Sequence, residues 1–270
     1  MKKKWLNIIL SLIIIILIIL LIYSISNIIK WQSDSKNITT EINNIQKSVI
    51  VEEIEDTENT EIIQPEKEIP KENPYWDYIN MNMINVNFTD LKKINSDVRG
   101  WIKVNGTNIN YPFVQTTNNS YYLNHSFNKS ANNAGWVFLD YRNNGTNNRN
   151  TIIYAHGRTD KTMFGSLKNI LTSGWLNNNN NYIVKISTEN ENTLWQVFSI
   201  YHIPTTNDYL QTEFQSDESF LKFANILKER SSYNFDTTIS KTDKILTLST
   251  CYNNTEKLVL HAKLIKKENK

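Results

Sequence analysis

One cysteine, seven glycines and five prolines are all that this chain of 270 residues holds of those types. A single thiol, Cys251, excludes an intramolecular disulfide framework and any cysteine-rich zinc site. The four histidines, His125, His156, His202 and His261, are scattered, with no HExxH pattern and no close Cys/His pair. No metal site and no cofactor is expected from them. Neither sign of charge predominates, and a net charge of +2 gives no electrostatic case for nucleic acid. Alanine is scarce, with five in the chain and none before Ala131.

What is present begins with a long apolar run. Lys2, Lys3 and Lys4 precede Trp5 to Ile29, which contains no charged residue, and Lys30 closes the stretch. About 20 apolar residues suffice to cross a bilayer. The lysines before the run predict a cytoplasmic N-terminus (1–4), a single membrane span (5–29) and an extracellular remainder at the cell membrane. A cleavable signal would end in small residues of the A-x-A kind. None stands here, so retention as an anchor is expected.

Residues 30–73 change character. "SVIVEEIEDTENTEIIQPEKEIPKEN" is polar and acidic and carries Pro65 and Pro70. This composition predicts a stalk, flexible or partly helical, between membrane and domain.

A folded domain is expected over 74–270. It opens with two short helical pieces, the second capped by Thr89 or Asp90, and then turns to strands. "GWIKV", "TNINYPFVQ", "GWVFLDY", "NTIIYAH", "NYIVKIS", "TLWQVFSIYHIP", "DKILTLSTC" and "KLVLHAKLIK" are eight candidates rich in Ile, Val, Tyr, Phe and Trp. Two helices interrupt them. "KTMFGSLKNIL" places Met163, Leu167, Ile170 and Leu171 at helical spacing, and "SDESFLKFANILKERS" does so with Phe220, Phe223, Ile226 and Leu227 behind a Ser216 cap. The fold class is mainly β with α, and many short strands favour a closed barrel.

In "DKILTLSTC" the period of 2 puts Leu246, Leu248 and Thr250 on one face. Ile245, Thr247, Ser249 and Cys251 share the other, more polar face. If this strand pairs with "KLVLHAKLI" across the "YNNTE" loop, Cys251 and Lys257 point into one groove. A thiol must ionise to attack a carbonyl, and a neighbouring cation favours the thiolate. His156, at a strand end before Gly157, is the first candidate partner, and His261 on the last strand is the second. A lone cysteine is otherwise a small buried hydrophobe.

"TLSTC", residues 247–251, resembles the TLxTC signature of sortases, membrane-anchored cysteine transpeptidases of Gram-positive bacteria. The likeness covers nearly the whole chain and is closest to class B. "INSDVRGWIKVNGTNINYPFVQTTNNSYYLNHSF", "GWVFLDYRNN" and "IIYAHGRTDKTMFGSLKNI" resemble that class's opening, middle and histidine segments. The resemblance implies an eight-stranded sortase-type β-barrel with N-terminal helices and a helix between strands 6 and 7. It implies Cys251 as nucleophile and His156 as general acid/base. It implies cleavage of a C-terminal sorting signal of LPxTG or NPxTN type after Thr, through a thioacyl-enzyme. A peptidoglycan precursor amine or a pilin amine then resolves that intermediate. Asn119, Leu123, Thr205, Tyr209 and Ser249 match positions that contact the signal.

The chain departs from the family at Lys257, where an Arg is usual before the last apolar run. Arg offers a planar fork and Lys a point charge. Lys257 is the first candidate for holding the oxyanion, and Arg158, two residues after His156, is the second. "YAHG" replaces the usual Gly-His-Asn. Three activities fit these residues: a transpeptidase, a hydrolytic thiol peptidase, and an anchored peptide-binding module with weak or no catalysis.

Overall fold

The computed structural model describes residues 2–66 and 68–270. It begins with one continuous helix, α1 (Lys2–Ser48). From Trp5 to Ile29 its large apolar side chains are exposed on every face, and α1 is long and apolar enough to cross a membrane. Beyond that run the helix changes role. Ile38, Ile42, Ile45 and Val49 are buried against the domain, a stripe at intervals of four, three and four residues that matches one helix face.

The stretch expected to be a stalk is therefore docked. β1 (Val51–Ile54) pairs antiparallel with β3 (Met83–Val86), and β2 (Thr60–Ile62) adds to the edge of the last strand. The acidity that reads as solvation is in part ion pairing. Glu53 meets Lys103 at 2.9 Å and Lys185 at 3.1 Å, and Asp56 meets the buried Lys266 at 2.6 Å.

Helix α2 (Tyr75–Tyr78) and helix α3 (Thr89–Ile94) flank β3, which is not among the strands expected from the sequence. Neither Thr89 nor Asp90 caps α3. The N-cap position is Phe88, and just before it Asn87 Oδ1 accepts from the Thr89 amide at 2.9 Å. Eight strands then form the barrel: β4 (Val98–Val104), β5 (Asn110–Val114), β6 (Phe138–Leu139), β7 (Asn150–Tyr154), β8 (Ile183–Thr188), β9 (Glu191–Pro204), β10 (Ile245–Cys251) and β11 (Glu256–Asn269). Their order is β10-β7-β6-β5-β4-β8-β9-β11, and β11 pairs back onto β10 to close the ring. Closure leaves the ring without a free edge. Pairs β5/β6 and β7/β10 are parallel, the others antiparallel.

The "KTMFGSLKNIL" segment is not an α-helix. Lys161 and Met163 take positive φ of 63° and 52°, so helical backbone starts only at Gly165, as a 3-10 turn to Leu171 followed by α4 (Ser173–Leu176). Helix α5 (Asp217–Glu229) lies between β9 and β10, the sixth and seventh barrel strands, and Ser216 caps it through a reciprocal bond pair with Ser219. Phe220, Phe223 and Leu227 are buried beneath it, while Ile226 faces out.

Two apolar clusters result. Leu246, Leu248, Leu258 and Leu260 join the main core with Trp101 and Trp195. Ile245 and Val259, from the opposite faces of β10 and β11, join Phe198, Tyr201, Tyr209 and Phe220 under α5. The face of β10 read as polar is thus covered as well. Ile245, Thr247 and Ser249 are buried, and Cys251 alone emerges.

Candidate active site

Asn253 ends β10 and turns the chain. Its Oδ1 accepts from the amides of Thr255 and Glu256 at 2.8 Å each, and the Tyr252 amide donates to the Glu256 carbonyl at 2.9 Å. The tight turn fixes the register of the two strands, so that Cys251 faces Lys257 directly. Both side chains leave the same face, and Lys257 Nζ donates to Cys251 Sγ at 3.2 Å. Thr205 steadies the turn from outside, its amide donating to the Thr255 carbonyl at 2.9 Å and its hydroxyl at 3.1 Å.

On the other side β10 runs parallel to β7, with Ser249 opposite Tyr154. Two residues further along each strand come Cys251 and His156. Thr250 Oγ1 donates to the Ala155 carbonyl at 2.7 Å, holding the chains together past the last ladder pair. Gly157 packs so tightly that a Cβ there would sit 2.2 Å from the Cys251 carbonyl oxygen. Any side chain at 157 would therefore push the histidine loop off the cysteine strand.

His156 is oriented by a backbone carbonyl. Its Nε2 lies 2.7 Å from the Leu123 oxygen. A carbonyl only accepts, so Nε2 carries the proton. Nδ1 has no hydrogen-bond partner among the described residues. Gly135, at φ +62°, lets the backbone pass beneath the ring, where a Cβ would lie 3.0 Å from His156 Cδ2.

The remaining expected residues occupy three settings. Leu123 is 41% exposed beside the histidine. Tyr209 and Ser249 are buried under the end of β10, hydroxyl to hydroxyl at 3.0 Å. Burial pushes the Tyr209 phenol up, although its bond to Ser249 opposes this. Asn119 belongs to a polar knot. Its Nδ2 donates to the buried Asp140 at 3.0 Å, and its Oδ1 accepts from the Tyr141 amide at 2.9 Å. Asp140 also takes the Tyr154 hydroxyl at 2.8 Å and both arms of Arg142. Burial opposes ionisation of Asp140, but Arg142 and Tyr154 outweigh it and hold the carboxyl below its ordinary range.

The two rival candidates are engaged elsewhere. His261 is fully buried, its ring nitrogens 2.9 Å from the Tyr201 and Thr247 hydroxyls. Burial, helped by the charge of Arg230, lowers it to about 3. Arg158 donates to Asp160 at 2.7 Å and to Ser35 of α1, and its side chain is 7% exposed.

Sequence reasoning missed a group on the rim. His202 Nδ1 meets Glu256 at 2.9 Å, and its ring stacks on Tyr252 at 4.7 Å. All three border the turn that carries Cys251 and Lys257. The residues stand far apart in the chain, and no spacing pattern joins them. A cavity of about 620 Å³ lies away from Cys251, between α1 and the 126–132 loop.

The sortase domain family model matches residues 102–265. Sortase B of Staphylococcus aureus is 37% identical over 184 residues, 66% of this chain and 75% of the relative. Among solved structures, a Staphylococcus aureus sortase B–substrate complex is 38% identical with a TM-score of 0.62, over 66% of this chain and 84% of that one. A Bacillus anthracis protein described as similar to sortase B gives a TM-score of 0.66 at 34% identity, over 87% of this chain and 97% of that one. That share exceeds what residues 74–270 alone supply, so the likeness reaches into the docked N-terminal segment.

Proposed function

This chain belongs to the sortase family, in class B, and on that footing we propose that it is a membrane-anchored cysteine transpeptidase. The observation that carries the reading is the 3.2 Å contact between Lys257 Nζ and Cys251 Sγ, with the His156 loop packed against the same strand end. The Cys251 thiolate attacks the carbonyl carbon of Thr in a sorting-signal peptide of LPxTG or NPxTN type. The tetrahedral oxyanion forms next to the sulfur, within reach of the Lys257 ammonium, which takes the place of the family's Arg. The C–N bond then breaks, and His156 Nδ1, which has taken the Cys251 thiol proton, gives that proton to the departing amine. A thioester on Cys251 remains. An amine of a peptidoglycan precursor or a pilin attacks it, His156 removes the amine proton, a new amide forms and the thiolate leaves.

The anchor reading follows from α1. Residues 5–29 span the cell membrane once, with the lysines of the tip inside and the catalytic domain outside.

The test is product analysis with purified full-length protein, a labelled sorting-signal peptide and an added amine such as triglycine. A ligated peptide is expected. Hydrolysed peptide alone, at saturating amine, points to a thiol peptidase. Binding without cleavage points to a peptide-binding module.

A further inference from the structure

Helix α1 is in contact with both loops that flank His156. Ser35 Oγ donates to Asp160 at 2.7 Å and takes a bond from Arg158. Arg158 and Asp160 lie two and four residues beyond the histidine, and Arg158 also stands over the Trp31 ring at 5.6 Å. On the other flank, Asn133 Nδ2 donates to the Asp34 carboxylate at 2.9 Å and Asn132 Nδ2 to the Asp34 carbonyl at 3.2 Å. That loop continues into Gly135, which abuts the imidazole, and on its near side provides the Leu123 carbonyl that binds Nε2. Two adjacent helical residues thus pin the chain before and after the catalytic ring.

We infer that Asp34 and Ser35 are positioning residues for His156, so that the membrane anchor is a working part of the active site. The inference rests on the assignment of His156 as acid/base. Ser35 comes five residues after Lys30, about 7.5 Å along the helix axis. The histidine loop is thereby held within two helical turns of the point where the apolar run ends. Asp160 supports the clamp. Burial opposes its ionisation, but bonds from Arg158, Thr162 and Ser35 prevail and keep it anionic, well below the usual carboxylate range. α1 itself is held against the domain by the buried Ile38, Ile42 and Ile45.

The test uses the full-length protein in micelles with the double variant D34A/S35A. Loss of the clamp misplaces the imidazole without removing substrate contacts. A fall in kcat of about tenfold is expected, with KM little changed, since small displacements of catalytic groups cost ~10- to 100-fold. The conservative pair D34N/S35T keeps both acceptors and restores the rate. A second reading needs no turnover: long-range ¹H–¹⁵N spectra of histidine-labelled protein at pH of about 8, above the ordinary histidine range. The parent should show His156 as the Nε2–H tautomer, and D34A/S35A a tautomer mixture. Asn133→Ala tests the same contact from the loop side if the double variant does not fold. Unchanged kcat together with an unchanged His156 tautomer overturns the inference. A parent protein with the expected tautomer but no Cys251-dependent cleavage sinks the transpeptidase reading instead, and the spectra still decide the clamp.

Discussion

Cys251 and Lys257 are register partners at the turn end of the β10–β11 hairpin, with Nζ 3.2 Å from Sγ. Five residues lie between them in sequence, and the Asn253-centred turn brings them together. Lys257 is in contact with the sulfur, and Arg158 is engaged by Asp160 and Ser35. Lys257→Ala should therefore cost about 2–4 kcal/mol of transition-state stabilisation, the scale for losing one oxyanion donor. Lys257→Arg should preserve or raise kcat/KM, since it restores a planar fork. Both are read on one signal peptide, with folding checked by thermal melting. Parent-like activity in Lys257→Ala would make the lysine a bystander.

His156 and His261 make opposite predictions. His156→Ala should lower turnover by at least ~100-fold, as for a lost general acid/base, with the thermal midpoint nearly unchanged. A steady-state comparison with His261→Gln checks this, because His261 touches only buried hydroxyls and aromatic rings and should act on stability alone.

His261 also sets a pH dependence. Burial, then the nearby Arg230, lowers its folded value to about 3, against about 6.5 in an unfolded chain. The unfolded chain binds the proton first, so stability is full above about pH 6.5 and declines as pH falls toward 3. His261→Gln cannot take the proton. It should lower the midpoint near neutrality and flatten its decline between about pH 6.5 and 4. Equal slopes in parent and variant would assign the acid loss to carboxylates instead.

The N-terminal helix predicts an asymmetric truncation series. Deleting residues 1–30 removes the exposed apolar run of residues 5–29, and the remainder should fold as a soluble domain. Deleting residues 1–50 also strips Ile38, Ile42, Ile45 and Val49 from the core. At ~1.5–3 kcal/mol for each buried side chain, as an upper estimate, that loss rivals the ~5–15 kcal/mol stability of a whole domain. Chemical denaturation of the two truncations decides; equal midpoints would mean the docked helix contributes little.

Much of this was legible in the sequence. All eight barrel strands carry runs of β-branched and aromatic residues, and the strand period alone directs Cys251 and Lys257 toward one groove. The failures have physical causes. β1, β2 and β3 are three or four residues long, too short for periodicity, and their pairing is long-range. The stripe Ile38, Ile42, Ile45, Val49 leads into an acidic segment that masks it, and Glu53, Asp56 and Glu61 of that segment pair with barrel lysines. Positive φ at Lys161 and Met163 delayed a helix that apolar spacing had started too early. The docking of α5 over the second face of β10 turned Tyr209 and Ser249 into buried partners, which no local pattern encodes.

The most direct test is the mass of Cys251 after reaction. Full-length protein is mixed with a sorting-signal peptide, quenched in acid, digested and examined by mass spectrometry. The account predicts a thioester on Cys251 bearing the peptide segment that ends in Thr, absent from Cys251→Ala and discharged onto an added amine as a new amide. Cleavage of the peptide with Cys251 unmodified, or cleavage persisting in Cys251→Ala, would contradict it.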